Sequence, residues 1–214
     1  LAAQPDDAIV LANRGEALRV QRQPERALVD AQAALRLQPD HRAAQRLLAV
    51  LMLEARSYRE AAAAHARLAE LGAPQADDLV GWGESLLGSG DLPGALVRLR
   101  QAETQTPPSR RFNLVMARAL GAQNDNAGAL DYAERALVVD PTEAVAWSSK
   151  GYALMRLTRL PEALSALETA VRLDPALANA WINLGQAQLR AKNLGRAIEV
   201  LEKSVVLAPE AQDA

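Results

Sequence analysis

Cysteine is absent from the 214-residue chain, and several other chemical signals are scarce. Without a thiol the chain can form no disulfide, no thiolate nucleophile and no cysteine-based metal site. The 24 lysines and arginines are interleaved with 26 aspartates and glutamates, so the basic stripe typical of nucleic-acid-binding proteins is missing. No apolar run approaches the roughly 18 residues of a membrane-spanning helix. We therefore expect no nucleic-acid partner and no membrane span.

Aromatic residues are also few, at 3% of the chain, although half of all residues are hydrophobic. Ala, Leu, Glu, Arg and Gln are abundant instead, and these residues have high helix propensity. Alanine has too little bulk to keep neighbouring helices far apart. The composition therefore predicts an all-α protein with close helix contacts, and its richness in Ala and Arg is typical of a bacterial source.

Four sets of residues recur at intervals of 34 without an insertion. The first set is always alanine, the second is glycine or alanine, the third is mostly alanine, and the fourth is proline with one exception. Such a regular interval over six periods indicates a repeat protein. The first set is Ala27, Ala61, Ala95, Ala129, Ala163 and Ala197, and the second is Gly15, Ala49, Gly83, Ala117, Gly151 and Gly185. The third set is Ala34, Leu68, Ala102, Ala136, Ala170 and Ser204, and the prolines are Pro5, Pro39, Pro107, Pro141, Pro175 and Pro209.

One period predicts two helices. Apolar residues at helical spacing predict helices over 144–157 and 161–173, with a short break at 158–160. Asp-Pro at 174–175 ends the second helix, because proline cannot continue it. The segment 140–143, Asp-Pro-Thr-Glu, predicts an N-cap aspartate, a proline at the first helical position and a glutamate that completes a capping box. The unit is thus a pair of antiparallel helices, and its small residues predict close contact between the two.

The order Trp or Leu, Leu-Gly, Ala, Ala and Pro at this spacing resembles the tetratricopeptide repeat, most closely around Trp147 and Trp181. The resemblance implies an all-α, right-handed α-α superhelical solenoid of about six 34-residue helix-turn-helix repeats, in one continuous domain. The implied repeats are 8–41, 42–75, 76–109, 110–143, 144–177 and 178–211, after a remnant of a preceding repeat at 1–7.

Two features depart from the repeat pattern. Arg14 occupies a position where the pattern has an apolar residue. The third repeat ends with the polar segment 103–108, which finishes in two prolines, where other repeats place Leu or Val. We expect a bend or a softer joint at this segment.

The sequence offers no convincing catalytic, cofactor or metal site. His41 follows Pro-Asp in a turn and His65 replaces a packing aromatic, and neither has a second ligand suitably placed one helical turn away. The glycine-rich segment 81–94 does not follow a strand, as a phosphate-binding loop would require. Gly83 is expected inside a helix, and Gly88 and Gly90 at a turn. We therefore expect a non-enzymatic protein without a cofactor or a bound metal.

The resemblance implies instead that the first helices line a concave face, which in this family commonly holds an extended peptide or a partner's helix. In repeats four to six the inner positions are basic or amide-bearing, so we hypothesise that they bind an extended, net acidic protein segment. Ordinary solvated arginines are the alternative interpretation. The predicted partner-binding residues are Arg111, Arg118, Ser148, Ser149, Tyr152, Arg156, Asn183, Gln186 and Arg190. The inner positions of repeats one to three mix charges and include Asn13, Glu16, Arg19, Arg46, Glu54, Asp77 and Glu84.

Other functions and contacts remain open. The repeats can be the arm of a larger enzyme, such as a glycosyl- or sulfotransferase whose catalytic domain lies outside these residues. They can also belong to a periplasmic assembly factor for exopolysaccharide or pili, although the cytoplasm is slightly favoured as the compartment. Ile198, Leu201 and Val205 have no downstream repeat to cover them, so we expect either further repeats or end-to-end self-association.

Overall fold

The computed structural model describes residues 7–105 and 109–207, which form twelve α-helices and no strand. Each helix is 12 to 14 residues long. The helices of the first half are α1 (Ala8–Val20), α2 (Pro24–Leu37), α3 (Arg42–Glu54), α4 (Tyr58–Glu70), α5 (Ala76–Ser89) and α6 (Leu92–Glu103). Those of the second half are α7 (Arg110–Ala122), α8 (Asn126–Val139), α9 (Ala144–Arg156), α10 (Leu160–Leu173), α11 (Ala178–Arg190) and α12 (Leu194–Leu207).

The chain divides into two compact units, Leu1–Pro107 and Pro108–Ala214. In each unit three helix pairs stack so that the second helix of one pair packs on the first helix of the next. The first helices also contact one another, α1 with α3 and α5 with α3 in the first unit, and α9 with both α7 and α11 in the second. The first helices of each unit therefore form one layer, and the predicted all-α fold of stacked helix-turn-helix repeats is confirmed.

Parts of three predicted repeats lie outside the described residues. These parts are 1–6, which holds most of the predicted remnant, 106–108, which holds half of the expected joint, and 208–214. The exact repeat boundaries stay a prediction. Within the described residues α6 is the shortest helix, and it ends at Glu103, the first residue of that joint.

The N-cap predicted at Asp140, with Pro141 as the first helical residue, is wrong. Asp140 is the C-cap of α8, and α9 begins only at Ala144, with Glu143 as its N-cap. The Asp140 carboxylate accepts hydrogen bonds from the backbone N–H and the hydroxyl of Thr142, at 2.9 and 2.7 Å. Aspartate readily makes this local contact two residues ahead, which forms a turn instead of a helix start.

The turn inside each helix pair requires one residue in the left-handed region. In the third repeat this residue is glycine, Gly90 at φ 93°. The other five repeats place a larger residue there at φ 58–66°, and one of them is the β-branched Thr158. A non-glycine residue in this region is uncommon. Packing of the two helices therefore determines the backbone conformation at this turn. The turn residue adopts the left-handed region although its own side chain disfavours it.

Small residues allow the two helices of a pair to meet closely, as predicted. The alanines of the first set are 0–3% exposed. A Cβ atom added to Gly151 would clash with Leu167 and would lie 3.2 Å from the carbonyl oxygen of Ala163. A Cβ on Gly83 would likewise lie 3.3 Å from the Ala95 carbonyl oxygen. The contact between glycine and the alanine backbone thus recurs at the same place in the third and fifth repeats.

Buried carboxylates add a second kind of contact in the first unit. Arg14, which departs from the repeat pattern, donates from Nε and Nη2 to the two carboxylate oxygens of Asp30, at 2.7 and 2.6 Å. The Asp30 side chain is 5% exposed, whereas that of Arg14 is 59% exposed. Arg14 therefore lies at the surface and satisfies a carboxylate that α2 buries.

Asp78 is the second such carboxylate, and it connects α3 to the start of α5. Arg46 donates to both of its oxygens, at 2.7 and 2.8 Å, and the backbone N–H of Gln75 donates to it at 3.1 Å in a capping box. Burial acts to raise the pKa of Asp78, but the hydrogen bonds from Arg46 and Gln75 outweigh it. The pKa of this carboxyl therefore lies below its usual range, and the folded state favours the charged form.

We predict that Ala163→Leu lowers the free energy of unfolding by about 1–3 kcal/mol, because a larger side chain overpacks the contact with Gly151. Ser165→Leu is the matched control, since Ser165 is exposed on the same helix. Urea denaturation followed by circular dichroism measures both variants. Equal stability of the two variants would contradict the close helix contact.

We predict that Asp78→Asn lowers the free energy of unfolding by about 1–3 kcal/mol at neutral pH, because Arg46 loses its charged acceptor. The lowered pKa means that this stabilisation is present above the unfolded-state pKa of about 3.9 and is lost as the pH falls through the folded-state pKa. The difference from the wild type should therefore shrink in acid. Asp77→Asn, one residue away and exposed, should change stability little at any pH, and a pH-independent difference for Asp78→Asn would be the opposing result.

Candidate partner-binding face

Charge of one sign is concentrated on one helix layer of the second unit. The first helices α7, α9 and α11 contain six basic residues and no acidic residue. The second helices of this unit carry both signs, and so do the first helices α1 and α3 of the other unit, whereas its first helix α5 carries only acidic residues. The six basic residues are Arg110, Arg111, Arg118, Lys150, Arg156 and Arg190.

Most of the predicted partner-binding residues lie on one side of this layer. On each helix they are spaced by three, four or seven residues, which places them on one helical face. We call this side the basic face. It comprises Arg111, Arg118, Ser149, Tyr152, Arg156, Asn183, Gln186 and Arg190, all of which are at least partly exposed.

Two side chains of α9 reach back to α7. The ring of Tyr152 lies over Gly121, 3.8 Å from the position that a Cβ atom would take there. Arg156 donates from Nη2 to the side-chain oxygen of Asn124 at 2.9 Å. Asn124 follows α7 in the left-handed turn position, with φ 66°. The contacts hold both α9 side chains in defined positions on the basic face.

Two side chains of α11 reach back to α9 in the same way. Asn183 donates from Nδ2 to the hydroxyl of Ser148 at 3.3 Å, and Arg190 donates from Nη1 to the carbonyl oxygen of Met155 at 3.1 Å. Ser148 itself is only 6% exposed. Ser148 therefore cannot present its side chain to a partner, and its contribution is to orient Asn183.

The arginines of the basic face differ from those of the first unit in what they contact. Arg156 and Arg190 bond to neutral oxygen atoms, and no carboxylate of the described residues pairs with either of them. In the first unit Arg19 instead contacts two carboxylates, Glu16 at 2.8 Å and Glu54 at 2.6 Å. The hydrogen bonds that Arg19 donates to Glu16 are the main cause that raises the pKa of Arg19. Positive charge is thus neutralised locally around Arg19 but not around Arg156 and Arg190.

The supporting groups of the face were not predicted from the sequence. Asn124 and Gly121 lie in or near a turn, and Met155 contributes only its backbone oxygen. A left-handed turn position favours asparagine over most other residues, and this preference is the one signal that could have indicated Asn124. Contacts through a backbone oxygen leave no signal in the sequence.

The remaining candidates from the sequence have structural roles. His41 is the N-cap of α3 and accepts the backbone N–H of Ala44 at 3.2 Å, and His65 is buried. Gly88 lies inside α5, not at the predicted turn, and the ring of Tyr58 lies against it. The described residues contain no cluster of three or more His, Cys, Asp or Glu side chains that could hold a metal ion. None of their helices is long and apolar enough to span a membrane.

Several solved structures share the fold. The chain is similar to a chain of the APC/C hetero-tetramer Cut9-Hcn1, with 18% identity and a TM-score of 0.83, over 97% of this chain and 41% of that chain. It is also similar to PilW, a widely conserved type IV pilus biogenesis factor, with 15% identity and a TM-score of 0.77, over 96% of this chain and 95% of that one. A third similar structure is the human IFIT1 dimer with m7Gppp-AAAA, with 15% identity and a TM-score of 0.76, over 98% of this chain and 52% of that one.

These identities are low enough that the likeness shows the fold alone. Comparison with curated protein sequences gives no match. The model of the tetratricopeptide repeat family, however, matches residues 12–77, 80–144, 114–175 and 148–212. Proteins with this repeat are typically non-catalytic scaffolds with protein or peptide partners, and the helix pairs described above have the arrangement that such repeats require. The chain therefore belongs to the tetratricopeptide repeat family.

Proposed function

We propose that the protein is an interaction scaffold whose second unit binds an extended, net acidic segment of another protein along the basic face. The observation that supports this proposal is the distribution of charge among the helices. The layer formed by α7, α9 and α11 has no acidic residue, and Arg156 and Arg190 bond only to neutral oxygens among the described residues. Their charge is therefore available to a carboxylate from outside.

The geometry of the layer favours an extended ligand with regularly spaced carboxylates. Arg156 and Arg190 occupy equivalent positions on neighbouring first helices, and packed helices lie about 8–10 Å apart. In a polyproline II chain, residues three apart face the same side and are separated by about 9 Å. One carboxylate in every third position of the ligand can thus meet one arginine after another. Arginine contacts a carboxylate through two parallel hydrogen bonds, which makes this pairing specific.

The amide side chains of the face suit the ligand backbone. The Nδ2 group of Asn183 is held by Ser148, which leaves its side-chain oxygen to accept a backbone N–H. Gln186 is exposed one turn further along α11 and offers both a donor and an acceptor. Tyr152, fixed over Gly121, adds an apolar surface beside them. An extended chain has unpaired backbone groups along its length, so such amides can hold it whatever its side chains are.

The proposal predicts which synthetic peptides bind. We expect a fluorescent peptide with glutamate at every third position to bind the protein, and Arg156→Gln and Arg190→Gln each to weaken it about tenfold, since a hydrogen bond to a charged group contributes about 1.5–3 kcal/mol. Fluorescence anisotropy titration at low and high salt measures the affinity. Arg172→Gln is the matched control, because Arg172 is an exposed arginine on α10 that contacts Thr169 instead of lying on the basic face.

Two further peptides separate charge from spacing. A peptide with glutamine in place of glutamate should bind much more weakly, because it has no charge to meet the arginines. A peptide with the same glutamates placed next to each other should bind less well than the spaced one, because its carboxylates cannot reach successive helices. Equal binding of all three peptides, or an equal loss from Arg172→Gln, would show that the basic face is an ordinary solvated surface.

A further inference from the structure

A glycine interrupts the part of the basic face that α7 contributes. Residues three or four apart on a helix share one side, so Gly121 lies in line with Arg118, and it is partly exposed there. A side chain at this position would therefore project onto the basic face. The other five repeats all carry a long side chain at the equivalent position, namely Arg19, Leu53, Leu87, Met155 and Leu189.

The backbone does not require glycine at this position. Gly121 lies inside α7 and is not one of the residues with a positive φ angle. The left-handed residue of the following turn is Asn124 instead, at φ 66°. Alanine adopts the helical conformation as readily and loses less backbone entropy than glycine on folding. The local structure alone would thus favour alanine over glycine.

Packing does not require glycine at this position either. A Cβ atom on Gly83 would lie 2.8 Å from Cγ of Leu99, which is too close for a normal contact. A Cβ atom on Gly121 would lie 3.8 Å from Cε1 of Tyr152 and 3.9 Å from Cβ of Ala129, which are ordinary van der Waals distances. Alanine therefore fits at position 121 without a shift of its neighbours. The effect that glycine does have is to leave space on the basic face.

The space beside Gly121 has apolar walls. The ring of Tyr152 on α9 borders it on one side, and the buried methyl group of Ala129 on α8 borders it on another. We call this space the Gly121 notch, and its three residues are Gly121, Ala129 and Tyr152. An apolar side chain that enters the notch would contact both the aromatic ring and the methyl group.

The notch lies one helical turn away from Arg156. Arg156 follows Tyr152 by four residues on α9, and its Nη2 atom contacts Asn124, three residues after Gly121. Cβ atoms four residues apart on a helix are separated by about 5–6 Å. An extended chain advances about 3.1 Å per residue. Two adjacent side chains of a bound segment can therefore reach the notch and Arg156 together.

We propose that the Gly121 notch binds an aliphatic side chain of the partner segment, next to the glutamate that Arg156 binds. This inference rests on the proposed function and adds a sequence requirement to the ligand, an aliphatic residue beside an acidic one. Most of the equivalent positions in the chain are leucine or methionine, so the ligand supplies a side chain of the kind that the fourth repeat lacks. Burial of apolar area against Tyr152 and Ala129 favours such a side chain over a polar one.

Two peptides test the notch. Both carry glutamate at every third position, and the two residues that flank the central glutamate are leucine in one peptide and alanine in the other. Fluorescence anisotropy titration should give an affinity about fivefold higher for the leucine peptide, since one leucine side chain becomes partly buried. Arg156→Gln should weaken the binding of both peptides, because both use the same charge contact.

Two variants locate the bound leucine. Gly121→Ala adds one methyl group to the notch and should reduce the preference for the leucine peptide to about twofold, while the affinity for the alanine peptide stays unchanged. Tyr152→Ala removes one wall of the notch and should abolish the preference. Gly195→Ala is the matched control, because Gly195 is an exposed glycine of α12 outside the basic face, with open space around its Cβ position. This control should keep the full preference.

Urea denaturation separates an effect on binding from an effect on folding. Gly121→Ala should be at least as stable as the wild type, because alanine has the higher helix propensity. A lower denaturation midpoint for this variant would show that the fold itself requires the glycine, and this result would overturn the proposal.

The remaining outcomes distinguish this proposal from the proposed function. Equal binding of the two peptides, with both weakened by Arg156→Gln, overturns the notch and leaves the basic face as a binding site. Failure of both peptides to bind overturns the notch and the proposed function together. A leucine preference that persists in both Gly121→Ala and Tyr152→Ala means that the leucine binds elsewhere, and it also overturns the notch.

Discussion

The whole arrangement depends on close contact between the two helices of a pair, where a small residue of the first helix meets the second helix. At Gly151 and Gly83 a Cβ atom would lie 3.2–3.3 Å from the carbonyl oxygen of an alanine on the partner helix. Dispersion and apolar burial both favour such close packing. The approach also forces the intervening turn into the left-handed region, even at Thr158. Each pair is therefore a rigid unit that presents the same faces to its neighbours.

Repetition of this unit produces a layer of first helices, and the layer has a surface whose chemistry is not needed for packing. In the first unit that surface is internally neutralised, with Arg19 between Glu16 and Glu54. In the second unit it is basic, with Arg156 and Arg190 on neutral oxygens. The same scaffold thus supports two surfaces of different character.

The sequence alone determined the repeat, the helix pairs and the burial of Ala163 and Gly151, because these follow from residue size and a fixed interval. It also predicted, through helical spacing, that Arg156 and Arg190 share one face of the first helices with the other proposed binding residues. Tertiary structure decided which side-chain and backbone contacts form between neighbouring repeats. Burial of Ser148 and its bond to Asn183, and the use of the Met155 carbonyl by Arg190, depend on how neighbouring repeats pack. The start of α9 was decided by the side-chain contact of Asp140 with Thr142, which competes locally with the capping box that the sequence pattern indicates.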